Sequence, residues 1–311
     1  MQADASFLSL SQFMSQLVHY TICPVCNADT ISSVLTAKDY TVSGEIFSIG
    51  HCSSCTHRFT QDVPVQNEIG KYYQSADYIS HSETKKGLIS SLYHLVRKRT
   101  LKGKRKLIEN ITDKTNGDIL DIGSGTGSFI NEMKQHGWRV KGLEPDESAR
   151  KKGEELYGLN AEPVEEFYQL APQSFDAITM WHVLEHVHEL HKYVGRLKTL
   201  LKPGGKLLIA VPNYTAADAV YYKEHWAAYD VPRHLYHFSP QSMQVLIEKH
   251  SMKIEMIKPM WFDSFYVSML SEKYKTGKGN LLKAFFTGFA SNLAAMSNKA
   301  KCSSLIYIVS L

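Results

Sequence analysis

The chain has 311 residues, of which 43% are hydrophobic and 21% charged, and its formal net charge is +4. This composition is that of an ordinary globular protein that can bury a sizeable core, and the length suggests about two domains. The charge is too small to indicate a nucleic-acid partner by itself, and the sequence has no repeat or low-complexity segment.

Residues 1–20 predict an N-terminal helix with a broken apolar pattern. The apolar side chains are separated by serines and glutamines, and no basic segment precedes them. No continuous run approaches the roughly 20 apolar residues that span a bilayer. We therefore expect a cytoplasmic protein without a transmembrane segment.

Four of the five cysteines form two C-x-x-C pairs, Cys23 with Cys26 and Cys52 with Cys55. Two such turns can direct four thiolates at one zinc ion, and a closed set of four cysteines indicates a structural site. The alternative is two reduced or redox-active pairs, since disulfides are not expected in the cytoplasm. With an alternating strand pattern over 41–49, residues 21–62 predict a small zinc ribbon that has its own core.

Residues 63–103 predict a helical connector that ends in concentrated positive charge. Seven of the ten residues at 97–106 are basic, whereas the rest of the chain is slightly acidic. The simplest interpretation is the solvated face of a helix, because an apolar stripe precedes the charges. An anion site for a phosphorylated substrate, and contact with RNA or lipid headgroups, remain open.

Residues 118–130, D-I-L-D-I-G-S-G-T-G-S-F-I, predict a strand, a tight turn and the start of a helix. The glycines permit positive φ and close backbone approach, and the helix N-terminus directs unpaired N–H groups over the turn. The turn is therefore suited to a polar ligand. A dinucleotide site requires G-x-G-x-x-G, but here the third glycine is Gly127, and Ser128 occupies the dinucleotide position.

Three further strand patterns follow in the order expected of an open α/β fold. Residues 138–143 end on Glu144, about 20 residues after the glycines, where a carboxylate can accept from both hydroxyls of a ribose. Residues 174–181 form a mostly apolar strand pattern. Residues 201–213 contain a Pro-Gly-Gly turn that is followed by another apolar strand pattern.

These motifs, above all L-D-I-G-S-G-T-G at 120–127, resemble those of class I S-adenosylmethionine (SAM)-dependent methyltransferases over residues 104–258. The resemblance implies a Rossmann-like, seven-stranded, doubly wound α/β sheet after the zinc ribbon, within a domain over 104–311. It also implies SAM as the cofactor instead of NAD. By this match the cofactor-binding residues are Asp121, Gly123, Ser124, Gly125, Gly127, Glu144, Pro145, Glu165, Trp181 and His182.

The candidate chemistry begins with W-H-V-L-E-H-V-H at 181–188. If a helix starts here, His182, Glu185 and His186 share one face at the carboxyl edge of the sheet. The stretch resembles the L-E-H-V signature of small-molecule methyltransferases, including the ubiquinone-biosynthesis O-methyltransferases, in which acids and a histidine here can hold a divalent metal. This chain has His182 where those enzymes have a further acid, and a helix-start ion pair is the simpler interpretation of Glu185 and His186.

A second polar constellation, residues 225–239, is expected to overhang the pocket. It resembles the H-E-H-L-x-Y-F-S segment of sugar C-methyltransferases, which also carry an N-terminal zinc-binding region. By that match His234 aligns with a histidine of the active-site segment, whereas Pro232 and Arg233 replace the preceding His-Glu. We expect His186 or His234 to act as the base, with Glu185 orienting it.

From residue 251 the sequence predicts a strand, a helical insertion over about 262–300 and a closing strand over 303–311. Class I domains usually join these two strands by a short hairpin. The insertion is rich in Phe, Leu and Ala, so the simplest interpretation is a helical pair that packs on the sheet edge. A substrate lid, a dimer contact and a surface for apolar acceptors remain open.

Three functions are compatible with these patterns. The leading hypothesis is methyl transfer from SAM to a small-molecule acceptor, with a nucleotide-linked or lipid-linked sugar, or another precursor of a cell-surface or secondary metabolite, as the preferred acceptor. The alternatives are an RNA methyltransferase that uses the ribbon and the basic stretch, and a SAM-binding interaction protein without turnover. We expect no stable nucleic-acid partner, because the basic stretch is short, and the sequence leaves a homodimer open.

Overall fold

The computed structural model of the protein describes residues 16–74 and 88–311, with side chains described from residue 98 onward in the first helix. Residues 1–15 of the expected N-terminal helix lie outside the described residues. The described end of that segment is not helical. Leu17–Val18 forms a short strand, β1, whose backbone pairs antiparallel with β5 at Val63–Pro64 and so attaches it to the end of the N-terminal unit.

The N-terminal unit is a small antiparallel sheet that carries the cysteine turns. Its strands are β2 (Ile31–Lys38), β3 (Ile46–Cys52) and β4 (Arg58–Thr60), and β10 (Tyr236–His237) from the later part of the chain pairs with β4. The strand expected over 41–49 begins only at Ile46. The Asp39 carboxylate accepts the backbone N–H groups of residues 41–43 and holds a turn there instead.

Helix α1 (Leu88–Thr112) connects the N-terminal unit to the central sheet, after a 3-10 turn at Ile69–Tyr73. The boundary predicted at residue 103 falls inside α1. Beyond that point Leu107 and Ile108 are buried in the second core cluster, against the central sheet. The helix is thus part of the α/β fold as well as a connector.

The central sheet has six strands in the described part of the chain, in the order β11-β12-β9-β8-β6-β7. Its parallel strands are β6 (Asp118–Ile122), β7 (Arg139–Leu143), β8 (Phe175–Trp181) and β9 (Leu201–Pro212). The last strand, β12 (Ser304–Ser310), runs antiparallel between β9 and β11 (Lys253–Pro259). The helices between these strands are α2 (Ser128–Gln135), α3 (Glu147–Tyr157), α4 (Leu190–Leu200), α5 (Ala217–Tyr222) and α6 (Pro240–Lys249). This is the Rossmann-like α/β architecture that the sequence predicts.

Within the described residues, the sheet falls one strand short of the seven expected. A single parallel bridge between Leu143 and Glu162 stands where a further strand would lie beside β7. Pro163 follows at once and has no N–H to donate, and the chain then enters a 3-10 turn at Val164–Gln169. The ladder therefore ends after one residue pair.

Between β11 and β12, where the sequence predicts a helical insertion, the chain forms α7 (Asp263–Thr276) and α8 (Leu281–Ser297). Gly277 ends α7 in the left-handed conformation, and the Asn280 side chain caps α8 by accepting from the N–H of Lys283. No helix in residues 16–74 and 88–311 is long and apolar enough to cross a membrane.

The N-terminal unit and the central sheet share one apolar core, which contradicts the expectation of separate cores. Cys23, Val25 and Phe59 belong to the same buried cluster as Leu184 and Leu235. The pairing of β10 with β4 joins the two units through the backbone as well. The ribbon is therefore built into the fold.

Candidate functional site

The glycine turn follows β6 at the carboxyl edge of the sheet. Gly123, Gly125 and Gly127 all have positive φ, at 72°, 54° and 76°. A Cβ on Gly123 would lie 2.5 Å from Val183, and one on Gly127 would lie 2.8 Å from Leu159, so the protein itself fills both spaces. A Cβ on Gly125 would meet no atom of residues 16–74 or 88–311 within 4 Å. The space over Gly125 is therefore the part of the turn that is open to a ligand.

Glu144 closes the turn from the end of β7. Its Oε2 accepts from the N–H of Gly125 at 2.7 Å, and its Oε1 accepts from the N–H of Asp146 at 3.0 Å. The side chain is buried, and this burial raises the pKa of Glu144 above its ordinary value. The carboxylate is thus held at the open side of the turn, where the sequence predicts an acceptor for ribose hydroxyls.

Asp121 and Trp181 lie on neighbouring strands behind the turn. Asp121 Oδ1 accepts from Thr179 Oγ1 at 2.6 Å, and burial raises the pKa of Asp121 to about 7. The Nζ of Lys104 lies 3.8 Å from the centre of the Trp181 ring, and burial lowers the pKa of Lys104 to about 8. Helix α1 therefore brings the cation of Lys104 to this site. The sequence predicts a solvated face for the whole basic stretch, and Lys104 departs from that prediction.

A second residue of the basic stretch also faces the protein. Arg105 donates to Glu109 at 2.5 Å and to Glu132 of α2 at 3.0 Å. With Lys104 over Trp181, two of the seven basic residues at 97–106 are engaged by the α/β fold. The stretch presents less free positive charge than its composition indicates.

Several buried polar atoms around the turn have no hydrogen-bond partner among the described residues. They are Ser124 Oγ, Trp181 Nε1 and Glu185 Oε2. Buried polar groups are rarely left without partners in folded proteins. Together with the open space over Gly125 and the Glu144 carboxylate, these atoms fit a polar cofactor with the donors and acceptors of SAM.

The helix expected over 181–188 does not form. Strand β8 ends at Trp181, Leu184–His186 makes only a 3-10 turn, and α4 begins at Leu190. His182 follows the strand with φ of 58°, a left-handed conformation that a helix cannot continue from. The expected helical face of His182, Glu185 and His186 is therefore replaced by a sharp turn.

His182 bridges two acids across this turn. Its Nδ1 lies 3.4 Å from Glu185 Oε1, and its Nε2 lies 3.0 Å from Asp263 Oδ2 at the start of α7. Burial opposes protonation, but the two acids raise the pKa of His182 to about 10, so the ring is a cation at neutral pH. Asp263 was not predicted, since nothing in the sequence marks the start of a distant helix as part of the site.

A compact cluster beside the turn consists of Glu185, His186 and His234. It lies there because Val183, which precedes Glu185 by two residues, packs against Gly123. One ligand atom of each of the three lies within 4.8 Å of the others. The rings of His186 and His234 meet edge to face with their centres 4.6 Å apart. The structure thus brings together all three residues that the sequence predicts as catalytic.

Backbone carbonyl groups fix the tautomers of both histidines. Nδ1 of His186 lies 3.0 Å from the carbonyl oxygen of Arg233, and Nδ1 of His234 lies 2.9 Å from that of Ala228. Because a carbonyl oxygen only accepts, each Nδ1 carries the proton and each Nε2 offers a lone pair. The hydroxyl of Tyr73, from the end of the N-terminal unit, also lies 2.9 Å from Nδ1 of His186.

The charges of the cluster suit a proton acceptor. Burial and the neighbouring His234 lower the pKa of His186 to about 4, so its ring is neutral at pH 7. Burial opposes the ionisation of Glu185, but the hydrogen bond and charge of His182 hold the pKa of Glu185 below its ordinary value. A carboxylate therefore lies next to the neutral imidazole of His186, whose Nε2 can take a proton.

The same three side chains also carry ligand atoms of the kind that bind a divalent cation. Glu185 supplies a fully buried carboxylate, and both histidines have one nitrogen held by a carbonyl, as metal-ligating histidines commonly do. His182, which stands in the place of a further acid in the ubiquinone-biosynthesis enzymes, is instead paired with Asp263. The residues present fit a metal at Glu185, His186 and His234.

Arg233, one of the departures from the sugar methyltransferase segment, anchors the loop that carries His234. Its side chain is fully buried, and its Nη2 donates to Asp230 at 2.6 Å and to Asp39 of the N-terminal unit at 3.0 Å. Its Nη1 donates to the carbonyl oxygen of Tyr72 at 2.8 Å. Arg233 thus has a positioning role, tying the loop to the ribbon.

The four predicted zinc ligands form one cluster. Sγ of Cys23 lies 3.6 Å from that of Cys55, Sγ of Cys26 lies 3.5 Å from that of Cys52, and all four lie within 4.8 Å of one another. None forms a disulfide. A tetrahedron with Zn–S bonds of about 2.3 Å needs sulfur atoms roughly 3.8 Å apart. The donor set and its spacing fit a structural zinc ion.

Pro145 and Glu165 are the predicted cofactor residues that lie at the surface. Pro145 directly follows Glu144, and its carbonyl oxygen accepts from Arg150 at 2.8 Å. Glu165 lies exposed in the 3-10 turn that follows the Leu143–Glu162 bridge. Their contact with a cofactor stays a prediction.

A cavity of about 460 Å³ lies at the opposite edge of the sheet and is lined in part by Lys114, Arg139, Asp176 and Lys202. Its cations are already paired, Lys114 and Lys202 with Asp176 and Arg139 with Asp118. Open α/β sheets bind ligands at the carboxyl ends of their strands. The glycine turn and not this cavity is therefore the candidate site.

Comparison with known families matches residues 94–254 to a family described as "Methyltransferase domain". The match covers just over half of the chain and includes the glycine turn, Glu144 and the Glu185–His186–His234 cluster. It ends before α7 and α8 and begins after the cysteine turns.

Curated relatives match only the middle of the chain. An uncharacterized methyltransferase of Geobacillus thermodenitrificans is 29% identical over 122 residues, which are 38% of this chain and 57% of that protein. A ubiquinone biosynthesis O-methyltransferase of Serratia proteamaculans is 36% identical over 111 residues, which are 33% of this chain and 44% of that protein. The chain thus spans about half the length of the curated relatives it matches.

Among solved structures, a SAM dependent methyltransferase from Archaeoglobus fulgidus is similar to 70% of this chain and 99% of its own, with 17% identity and a TM-score of 0.44. The order of the strands, and not this likeness, carries the assignment of the fold.

Proposed function

Because the chain belongs to the methyltransferase domain family, we propose that it transfers a methyl group from SAM to a small-molecule acceptor. The observation that carries this proposal is the cluster of Glu185, His186 and His234, of which Glu185 is fully buried, beside an open glycine turn. A protein that only binds SAM has no need of two histidines and a fully buried carboxylate at that point.

The residues around the turn would bind the cofactor by its polar groups. Glu144 would accept from ribose hydroxyls, and the backbone at Gly125 leaves room for close approach. Lys104, a cation beside Trp181 and Asp121, would pair with the methionyl carboxylate. These contacts use the donors and acceptors that the fold holds in place.

Bound SAM supplies an electrophilic sulfonium methyl. The chain must then hold an acceptor atom in line with it, remove the acceptor's proton and keep water out. His234 or His186 would take that proton at Nε2, and Glu185 would orient and stabilise the resulting imidazolium. As the alternative role for the cluster, the same three side chains would hold a divalent cation, which would supply Lewis-acid activation of an acceptor oxygen.

A nucleotide-linked or lipid-linked sugar is the acceptor we favour. The support is the resemblance of residues 225–239 to the sugar C-methyltransferase segment, and the position of His234 in the cluster. Arg233 departs from that segment and has a positioning role, so the acid–base residues of this chain differ from those of the resembled family. RNA is disfavoured, because Lys104 and Arg105 of the basic stretch are engaged within the fold.

Two measurements test the proposal in sequence. Titration calorimetry with SAM, S-adenosylhomocysteine and NAD is expected to show binding of the first two and not of NAD. The protein is then incubated with SAM and either a nuclease-treated small-molecule extract or total RNA, and formation of S-adenosylhomocysteine is followed. Turnover with the small-molecule fraction, lost in Glu185→Gln, is expected.

NAD binding without SAM binding would overturn the cofactor assignment. Turnover with RNA only would favour the RNA methyltransferase. SAM binding with no turnover in either fraction would favour a SAM-binding interaction protein. Metal analysis separates the two roles of the cluster: in the metal role the protein holds one divalent cation beyond the zinc of the cysteine site, and Glu185→Gln loses only that additional ion.

A further inference from the structure

Helix α8 carries its small residues inward and its large apolar residues outward. The side facing the protein consists of Ala284, Gly288, Ser291 and Ala295, all buried. A Cβ on Gly288 would lie 3.0 Å from the backbone of Phe265 on α7, so the two helices are in close contact. An ordinary surface helix has the reverse arrangement, with large apolar side chains toward the core.

The outward apolar face of α8 is wide and almost uninterrupted. At 100° per residue its members span an arc of about 140° of the helix surface. They keep between 46% and 73% exposure in the described part of the chain, and they are Leu281, Leu282, Phe285, Phe286, Phe289, Leu293 and Met296. Seven such side chains on one helix exceed the scattered apolar residues normal for a soluble surface.

Helix α7 extends this face through aromatic contacts. Phe265 of α7 stacks on Phe285 of α8 with ring centres 5.4 Å apart. Trp261 and Phe262, just before α7, keep 40% and 63% exposure. We call the outward side chains of α8, with Trp261, Phe262 and Phe265, the apolar face.

The charged residues on and around α8, over residues 273–301, have one sign. Residues 273–301 contain six lysines and no aspartate or glutamate. The lysines are all exposed, and they are Lys273, Lys275, Lys278, Lys283, Lys299 and Lys301. One of them, Lys283, is paired with Glu272 at 3.3 Å, which leaves the surroundings of the face strongly positive.

We propose that the apolar face docks on the surface of an anionic lipid bilayer, with α8 lying in the plane of the interface. Large aromatic and aliphatic side chains on one side of a helix and lysines around them are the features that hold an amphipathic helix in the headgroup region. Each lysine near an anionic leaflet adds to the attraction.

A second copy of the chain fits the same face less well. A two-fold contact places the same patch of both copies together, so the lysine-rich surroundings of one copy would meet those of the other. Like charges brought together in this way oppose association. An anionic surface satisfies both the apolar side chains and the lysines.

Vesicle sedimentation with the full chain tests the proposal. The protein is expected to bind vesicles of phosphatidylcholine with about one-third phosphatidylglycerol, and to bind pure phosphatidylcholine at least several-fold more weakly. The variant Leu282→Ser/Phe286→Ser should lower the partition coefficient by roughly tenfold or more, because both side chains lose their burial in the lipid. The matched control is Ile46→Ser/Leu156→Ser, which removes two exposed apolar residues elsewhere, at 68% and 53% exposure.

Two further readouts keep the result interpretable. Trp261 should shift its fluorescence to the blue on anionic vesicles and not in Leu282→Ser/Phe286→Ser, while the melting temperature stays near that of the parent protein. Light scattering reports the oligomeric state without lipid. Absence of binding to anionic vesicles, binding unchanged in the variant, or a dimer that the variant converts to a monomer would each overturn the proposal.

Discussion

A substitution at Gly125 has two effects that can be measured separately, a loss of cofactor binding and a loss of stability from backbone strain. Gly125→Val should abolish binding of SAM and S-adenosylhomocysteine, because a β-branched side chain would fill the space over the turn that the described residues leave open. It also places a side chain at φ of 54°, which costs about 1–2 kcal/mol of stability. Calorimetry and a melting curve on the same preparation measure the two effects.

The matched control is Gly158→Val at the end of α3. Gly158 has φ of 58°, and a Cβ there also meets no atom within 4 Å, so the backbone cost is similar. The two variants should melt alike, and only Gly125→Val should lose the cofactor. If both retain SAM binding, the space over Gly125 is not the cofactor site.

His234 is the second residue whose role a single change can test. His234→Ala should leave SAM affinity nearly unchanged and lower turnover by roughly 10²–10⁴-fold, the range expected for a lost general base. His250→Ala is the control, because His250 is bonded to His191 at 3.0 Å and does not belong to the cluster. The measurement is formation of S-adenosylhomocysteine with the active small-molecule fraction, normalised to folded protein.

A stable His234→Ala protein with unchanged turnover would move the base assignment to His186. A variant that loses thermal stability but keeps turnover per folded molecule would instead make His234 a residue that only packs the loop.

At the residue scale, the sequence predicts what is local. The glycine turn and Glu144 follow from short spacings, because strand, turn and helix are neighbours in the chain. Asp263 and Lys104 could not be predicted in this way. Each reaches the site from a helix outside the motif, and its contact with His182 or Trp181 exists only once the chain has folded.

At the scale of elements, the geometry of the two cysteine turns predicts the metal content of the protein. The protein should hold about one zinc per chain, and Cys26→Ser should lower zinc content and melting temperature together. Because the ribbon and the α/β sheet share a core, the loss should weaken the whole molecule in one transition. Cys302→Ser is the control, since Cys302 is buried near β12 and is not part of the cluster.

Metal analysis and calorimetric melting after purification without chelators measure both effects. Full zinc content in Cys26→Ser would contradict the four-thiolate site. Two separate transitions, with SAM binding preserved after the first, would contradict the shared core.

The attachment of α7 to the site should depend on pH. The pKa of His182 is raised to about 10 from an ordinary value of 6.5, so its pairing with Asp263 and Glu185 contributes fully below about pH 6.5. That stability is lost as the pH rises toward 10, because the folded state then releases the proton that it held more tightly than the unfolded state. Since 35% of the side chain is exposed, solvent reduces the size of the effect.

Asp263→Asn should flatten this pH dependence. Melting temperatures between pH 6 and 10.5 are compared for the parent protein and the variant, and the difference between them should shrink as the pH rises. Glu147→Gln, which removes the exposed pair with Lys151, controls for a general charge effect. A pH profile of the same slope in parent and Asp263→Asn proteins would show that His182 is not charged through Asp263.

Two elements show why the sequence mispredicts parts of the site. The expected helix at 181–188 has the right residues but lacks a helical start, because His182 leaves β8 in a left-handed conformation. The further strand beside β7 is cut to one bridge by Pro163. In both cases a single residue's backbone geometry overrides the pattern of its neighbours.

At the scale of the whole molecule, the N-terminal unit takes part in forming the site. Strand β4 pairs with β10, Tyr73 lies against His186, and Asp39 binds Arg233 in the loop that carries His234. Asp39 and Arg233 are 194 positions apart in the chain. Motif spacing carries no information about contacts of that range, so the sequence predicts the ribbon as a separate unit while the structure makes it a support for the loop.

Arg233 tests this integration. Arg233→Ala would leave Asp39 and Asp230 facing each other without their shared cation, and removing one partner of a buried charge cluster costs about 3–5 kcal/mol of folding free energy. Because the guanidinium joins the ribbon to the loop, the variant should also release zinc more readily to a chelator and lose turnover. Urea unfolding, zinc release and S-adenosylhomocysteine formation measure the three consequences.

Arg139→Ala is the matched control for Arg233→Ala, since Arg139 also binds a carboxylate, at 2.6 Å, but its side chain is 73% exposed. We expect its unfolding midpoint, zinc release and turnover to stay near those of the parent protein, because solvent replaces an exposed ion pair at little cost. Asp39→Asn should behave in between, because it removes one charge and leaves Arg233 paired with Asp230. If Arg233→Ala lowers turnover while zinc release and unfolding are unchanged, Arg233 acts on the substrate directly and the ribbon is not its partner in function.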